Sequence, residues 1–342
     1  MKLMTGIRRQ AAQIAATVIL LTAAPVGNAI AESAKCGGKD MLAELASTEP
    51  EAYRRIRAEA KATINTEALL WRVERDGVAP SYLFGTIHLT DKRVTKFSPR
   101  LEAALAEAKT VALEVADLSP AAMTSAMMQA PKLVMFTDGR RLDGMLSAEE
   151  FDKVKSTLGA VGMPTEVAPL FRPWIVYMIL SVSGCERKKV ESGDKVLDMR
   201  VAEAAKLRGV PVVGLETVEE QLNAMASVPD DQQVEMLRAT LKYAARSDDL
   251  METVVKLYVE RNMGAAWPFQ IMLAKNAGVD PAPLAVFQEK LVNARNRKMR
   301  DGALPLLEKG GAIVAVGALH LPGETGLVKL IRDAGYTVTP VE

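Results

Sequence analysis

The sequence holds two histidines, His88 and His320, and both stand in the same setting. Tyr82-Leu83-Phe84-Gly85-Thr86-Ile87-His88-Leu89 and Val314-Ala315-Val316-Gly317-Ala318-Leu319-His320-Leu321 each read as an apolar strand followed by Gly-x-x-His-Leu. A glycine at a strand end, here Gly85 or Gly317, lets the backbone turn sharply or approach a ligand closely. The imidazole three residues on then projects from the carboxyl end of a sheet, where it can ligate a metal or titrate near neutral pH. Matched settings in so histidine-poor a chain point to one shared site.

Carboxylates stand at strand ends as well. Glu114 sits inside the apolar run Val111 to Val115, and a carboxylate there is costly to bury unless it is paired, hydrogen-bonded or metal-bound. Glu216 ends the run Val212 to Leu215 in the same way, although it can also serve the helix that starts after Thr217. Asp91, three residues after His88, can orient that ring or cap a loop. Two imidazoles plus carboxylate oxygens suit Zn²⁺, Mn²⁺ or Co²⁺ better than Mg²⁺ or a thiolate-seeking metal. Such an ion lowers the pKa of bound water and polarises a carbonyl, which leaves Glu114 as ligand or general base. The sequence has no H-E-x-x-H, no G-x-S-x-G, no P-loop and no G-x-G-x-x-G.

The elements that must position these groups are legible in outline. Residues 40–68 have helical spacing. Trp71 to Val73 and Ser81 to Phe84 read as a hairpin around Asp76-Gly77. Ser98-Pro99 opens a helix to about Lys109. Val111 to Val115, Pro211 to Glu216, Ala312 to Gly317 and Tyr336 to Val341 read as further strands. Helices are expected over 194–208, around 217–226, 230–245, 248–262 and 283–300, and from Gly326 to Ala334. Strands alternating with helices predict an α/β fold with a central, largely parallel or mixed sheet. Its core would lie at about 69–118, 210–216 and 310–342. The long helical insertion at about 119–300 is expected to form a cap over the carboxyl ends of the strands.

Composition narrows the function. The chain has 342 residues, 49% hydrophobic and 25% charged, a formal net charge of +1 and 5% aromatic residues. Neither a basic footprint nor stacking platforms for a nucleic acid are present. Lys2, Arg8 and Arg9, the apolar run Ala11 to Val26 and Ala29-Ile30-Ala31 read as a signal peptide over residues 1–31. The mature chain, 32–342, is then expected to be exported, periplasmic in a Gram-negative source, with no stable membrane span after cleavage. In an oxidising compartment the two cysteines, Cys36 and Cys185, invite a disulfide.

Gly85-Thr86-Ile87-His88-Leu89, Ala112-Leu113-Glu114-Val115, Gly214-Leu215-Glu216-Thr217 and Val316-Gly317-Ala318-Leu319-His320-Leu321-Pro322-Gly323 resemble the TraB/GumN family in that order. Arg295-Asn296 fits it too. The family is similar to the Tiki proteins, divalent-metal-dependent proteases with paired Gly-x-x-His motifs and a glutamate. The resemblance therefore implies His88, His320 and Glu114 in the active site, with Arg295 and Asn296 supporting them or touching substrate. The family's Gly-x-Asp stands here as Val196-Leu197-Asp198, with Val replacing Gly. The reading that follows is an exported divalent-metal-dependent hydrolase of peptidase type, acting on a peptide or another small extracytoplasmic substrate. The alternatives are a non-catalytic metal or haem binder, and an accessory protein for envelope polysaccharide.

Overall fold

The structure is a computed structural model that describes residues 37–117 and 119–342. The expected signal peptide and Cys36 lie outside the described residues. Six strands form one mixed sheet: β1 (Leu70–Glu74), β2 (Ser81–Thr86), β3 (Thr110–Val115), β4 (Val212–Glu216), β5 (Ala312–Gly317) and β6 (Thr337–Pro340), in the order β4-β3-β5-β2-β1-β6. β4, β3, β5 and β2 run parallel, and β1 lies antiparallel to both β2 and β6. β5 is the continuously apolar run Ala312 to Val316 and is buried throughout that run, as a central parallel strand covered on both faces must be. The β1–β2 hairpin turns at Gly77, whose φ of 75° needs a glycine.

Helices cover both faces. Helices Pro99–Glu107, Leu197–Leu207 and Ser247–Val259 share an apolar core with Leu70, Phe84, Leu113 and Ile313. Helices Ala294–Lys309 and Leu327–Asp333 pack the opposite face against Trp71, Leu83 and Val314. A further apolar core, around Leu142, Leu158, Trp174 and Leu237, belongs to the helical region itself. The long helical stretch is thus divided: its segments at 197–207, 247–276 and 294–309 lie on the sheet, and only the part centred on 134–241 has a core of its own.

Some elements differ from expectation. The helix expected over 40–68 is two helices, Met41–Thr48 and Pro50–Ala62, because Pro50 lacks the N–H that would continue the first and opens the second instead. Helix Ala266–Asn276 has no counterpart among the helices expected individually, and Pro268 stands in its first turn, where proline is tolerated. The helix expected to stop near 300 runs to Lys309 across Gly302 and Pro305. Gly302 is no breaker there: a Cβ would stand 3.3 Å from the Leu215 side chain, so the glycine lets helix and sheet approach. Among the described residues no helix is long and apolar enough to cross a membrane.

Candidate active site

β2 and β5 are parallel neighbours, with Gly85 opposite Val316 and Thr86 opposite Gly317. The two Gly-x-x-His segments therefore leave the sheet side by side at its carboxyl end. Gly85 is glycine because the second segment lies against it. A Cβ at Gly85 would stand 2.9 Å from the Leu321 side chain and 3.1 Å from Ala318 Cα. The Tyr258 hydroxyl donates to the Gly85 carbonyl at 2.7 Å and ties the turn to helix Ser247–Val259.

His88 Nδ1 lies 2.8 Å from Asp198 Oδ2, and Thr86 Oγ1 donates to Asp198 Oδ1 at 2.5 Å. Asp198 arrives from the first turn of helix Leu197–Leu207 and is buried. Asp91 does not take this part. Its carboxylate accepts from Arg93 N–H and Nε at 2.8 and 3.0 Å and caps the short helix Lys92–Thr95. Of the two roles open to it, the structure gives Asp91 the cap; the ring is oriented by the residue that only the family resemblance picked out.

His320 is buried and ends the short turn Ala318–His320. Its Nδ1 lies 2.6 Å from Asn296 Oδ1, while Asn296 Nδ2 donates to the Thr325 carbonyl at 2.8 Å. The second bond fixes the amide, so Oδ1 must face the ring and Nδ1 must carry a hydrogen. Nε2 is then the free nitrogen, 3.5 Å from Glu114 Oε1.

Glu114 lies at the centre. Its Oε1 accepts from Gly317 N–H at 2.7 Å, and its Oε2 accepts from Arg295 Nη2 at 2.5 Å and Gln221 Nε2 at 3.1 Å. Arg295 Nε and Nη2 also reach Glu216 Oε2 at 2.9 and 2.7 Å. One guanidinium thus bridges the carboxylates of β3 and β4. Helix capping falls to Thr217 with Glu220, which leaves Glu216 to the ion pair. A π-turn over Glu289–Asn293 immediately precedes Arg295 and Asn296; such turns are frequent at functional sites.

The matched histidines are electrostatically unlike. The Asp198 carboxylate raises the pKa of His88 to about 9 against the opposing effect of desolvation, and Glu114 adds to the rise. Burial pushes His320 down to about 4, with Glu114 opposing and Arg295 and His88 adding to the drop. For Glu114, burial works to raise the pKa, but His320, Arg295, His88 and the Gly317 N–H outweigh it and keep the carboxyl ionised. These mutual effects bring His88, His320, Glu114 and Arg295 within electrostatic reach of one another.

The donor set can be judged against a divalent ion. Both imidazoles are held at Nδ1 by an oxygen acceptor, the arrangement that orients a metal-ligating histidine and leaves Nε2 for the ion. Among the described residues no group of three or more His, Cys, Asp or Glu side chains is arranged to enclose an ion as it stands. Glu114 spends its oxygens on Arg295, Gln221 and Gly317. The fit is therefore that of two imidazoles with Glu114 alongside. Thr86 and Gln221 escaped the sequence reading: Thr86 lies inside a motif whose flanking residues drew the attention, and Gln221 carries no local signal. Cys185 sits in helix Gly184–Glu191, and no free cysteine occurs among the described residues.

Comparison with known proteins covers the stretch of chain that holds these residues. The model of the TraB/PrgY/gumN family matches residues 69–340. The chain is 26% identical to Metalloprotease TIKI1 of Danio rerio over 316 residues, which cover 79% of this chain and 62% of that protein. It is 26% identical to Metalloprotease TIKI1 of Homo sapiens over 317 residues, 79% of this chain and 61% of the relative. It is 24% identical to the uncharacterized protein YbaP of Shigella flexneri over 253 residues, 74% of this chain and 88% of YbaP. The chain spans about three fifths of the length of the two metalloproteases. No solved structure matches.

Proposed function

The chain belongs to the TraB/PrgY/gumN family, and from that premise we propose that it is a divalent-metal-dependent hydrolase of peptidase type, acting outside the cytoplasm. The observation that carries this reading is the pair of imidazoles just beyond the carboxyl ends of adjacent parallel strands, each fixed through Nδ1, by Asp198 and by Asn296. Relatives named as metalloproteases support it, as does the basic, then apolar, then Ala29-Ile30-Ala31 pattern at the start of the chain.

His88 and His320 would hold the ion through Nε2. When bound, a divalent ion supplies Lewis acidity toward a carbonyl and lowers the pKa of water. The chain's own groups do the rest. Glu114 is ionised and its Oε1 lies 3.5 Å from His320 Nε2, which suits it as ligand to the ion or as proton acceptor beside it. Arg295 and Gln221 hold its Oε2, and the Gly317 N–H holds Oε1. Asn296 keeps a hydrogen on His320 Nδ1, and Asp198 does the same for His88.

The test is metal content together with turnover. Mature protein purified without a His-tag is expected to carry about one divalent ion per chain, to lose it in the His88→Ala/His320→Ala double variant, and to cleave peptides in a mixed library. Glu114→Gln is expected to abolish cleavage and keep the fold. Uptake of an ion without cleavage of any peptide or ester would favour a non-catalytic binder. No ion after incubation with Mn²⁺, Zn²⁺ and Co²⁺ would overturn the proposal.

A further inference from the structure

A cavity of about 470 Å³ opens beside the site, within the size range of pockets that bind small ligands. Its two walls are the sequence neighbours of two site carboxylates. Leu113 and Val115, whose side chains leave β3 on the face opposite Glu114, line the cavity with Ala116, and Met199 and Ala202 of helix Leu197–Leu207 line it from the other side. Asp198 itself lines the cavity. The space lies at the carboxyl end of β3, where open α/β sheets take ligands. Met199 and Leu207, which both line the cavity, stay exposed although large and apolar, and grouped rather than scattered apolar exposure is what marks a binding groove.

The charges at the mouth bear on the occupant. Lys195 pairs with Glu203 at 2.5 Å, and Lys206 and Asp117 also line the rim. With Asp198, the lining carries two cations and three carboxylates, which leaves no excess positive charge to attract a phosphate or a polyanion, whereas the walls are aliphatic. We propose that this cavity is the subsite that receives one large apolar side chain, Leu, Met or Phe, of an extended peptide whose scissile bond lies among His88, His320 and Glu114. The assignment rests on the hydrolase reading above and adds the substrate class. A residue next to the scissile bond would enter between Val115 and Met199, because Asp198, which lines the cavity, also holds the His88 ring at 2.8 Å.

The test uses the mature chain with Mn²⁺ and a mixed peptide library in which one position varies among Gly, Ala, Leu, Met, Phe, Lys and Glu. Retention by ultrafiltration and cleavage are both read by mass spectrometry. Retained peptides are expected to be enriched in Leu, Met and Phe over Gly roughly tenfold, the scale on which apolar pockets discriminate. Ala202→Phe, which fills the cavity, is expected to erase the enrichment at an unchanged melting temperature. Met199→Ala, at an exposed position, is expected to shift it toward Phe and keeps the test open should Ala202→Phe not fold. Apolar enrichment on retention without cleavage would sink the hydrolase reading and keep the subsite. Cleavage without apolar preference, or an unchanged preference in both folded variants, would sink the subsite and keep the hydrolase. Neither retention nor cleavage would overturn both.

Discussion

Gly317 and Glu114 are fitted to each other: the Gly317 N–H donates to Glu114 Oε1 at 2.7 Å, and a Cβ on Gly317 would stand 3.1 Å from that same oxygen. A methyl group there is tighter than ordinary contact, and the carboxylate is pinned on its other side by Arg295 and Gln221. Gly317→Ala is therefore expected to displace Glu114 by a few tenths of an ångström and to lower kcat/KM by roughly 10-fold, short of the roughly 10²-fold that a misplacement of about 1 Å costs. Gly85→Ala differs because its obstacle is the Ala318 backbone as well as the Leu321 side chain. It is expected to cost about 1–3 kcal/mol of stability by overpacking. Urea unfolding beside peptidase kinetics separates the two; a Gly317→Ala protein with wild-type kcat/KM would show that the close approach is incidental.

The partners at Nδ1 give a second expectation. Asn296→Leu leaves His320 without its acceptor, and Asp198→Leu does the same to His88. Each is expected to weaken divalent-ion affinity by roughly 10–100-fold, the usual consequence of losing such a partner. Asp198→Asn keeps an oxygen facing the ring and should fall less. Calorimetric titration with Mn²⁺ or Zn²⁺ measures this, and equal affinities across the set would remove Asp198 and Asn296 from the site.

Arg295 is the cation between two mostly buried carboxylates, with its own side chain 13% exposed, Glu114 9% and Glu216 2%. Arg295→Met leaves both carboxylates without it. Breaking a buried pair from one side costs on the order of 3–5 kcal/mol, so the variant is expected to lose a substantial part of a typical domain's stability. Adding Glu216→Gln removes one of the two orphaned charges and is expected to restore part of the loss. Chemical denaturation of the single and double variants tests the coupling; additive effects would mean that the three groups do not act as one unit.

How far the sequence disclosed all this differs by residue. The strands around His88 and His320 were legible because each is a continuous apolar run ended by glycine, a pattern that little else produces. Glu114 was legible because a carboxylate inside such a run needs a reason. Asp198 was not legible from local pattern, since it looks like any acidic residue in a first helical turn; only the family resemblance singled it out. Its part depends on helix Leu197–Leu207 docking so that it meets Thr86 and His88, 112 and 110 residues away. Gln221 was silent for the same reason. Asp91 stayed open between ring partner and cap because local spacing allows both, and Arg93, nearer in sequence than His88, decides for the cap.

The unlike histidines predict a pH signature in the metal-free protein. The folded pKa of His320 is about 4, against 6.5 for the ordinary side chain. Below 6.5 the unfolded chain binds a proton at this residue that the folded one refuses, so stability falls as pH drops from 6.5 toward 4. A shift of that size corresponds to about 3 kcal/mol once pH has passed the folded value. His88 has the opposite sign: its folded pKa of about 9 lies above 6.5, so its contribution is complete below 6.5 and fades as pH rises toward 9. The acid-side loss falls before Glu114, held well below the usual carboxylate range, begins to protonate. Urea midpoints between pH 4 and 6.5 are thus expected to fall more steeply in the wild type than in His320→Gln. Parallel profiles for the two proteins would mean that His320 is not buried neutral, and the assignment of its Nε2 as the open nitrogen would fall with it.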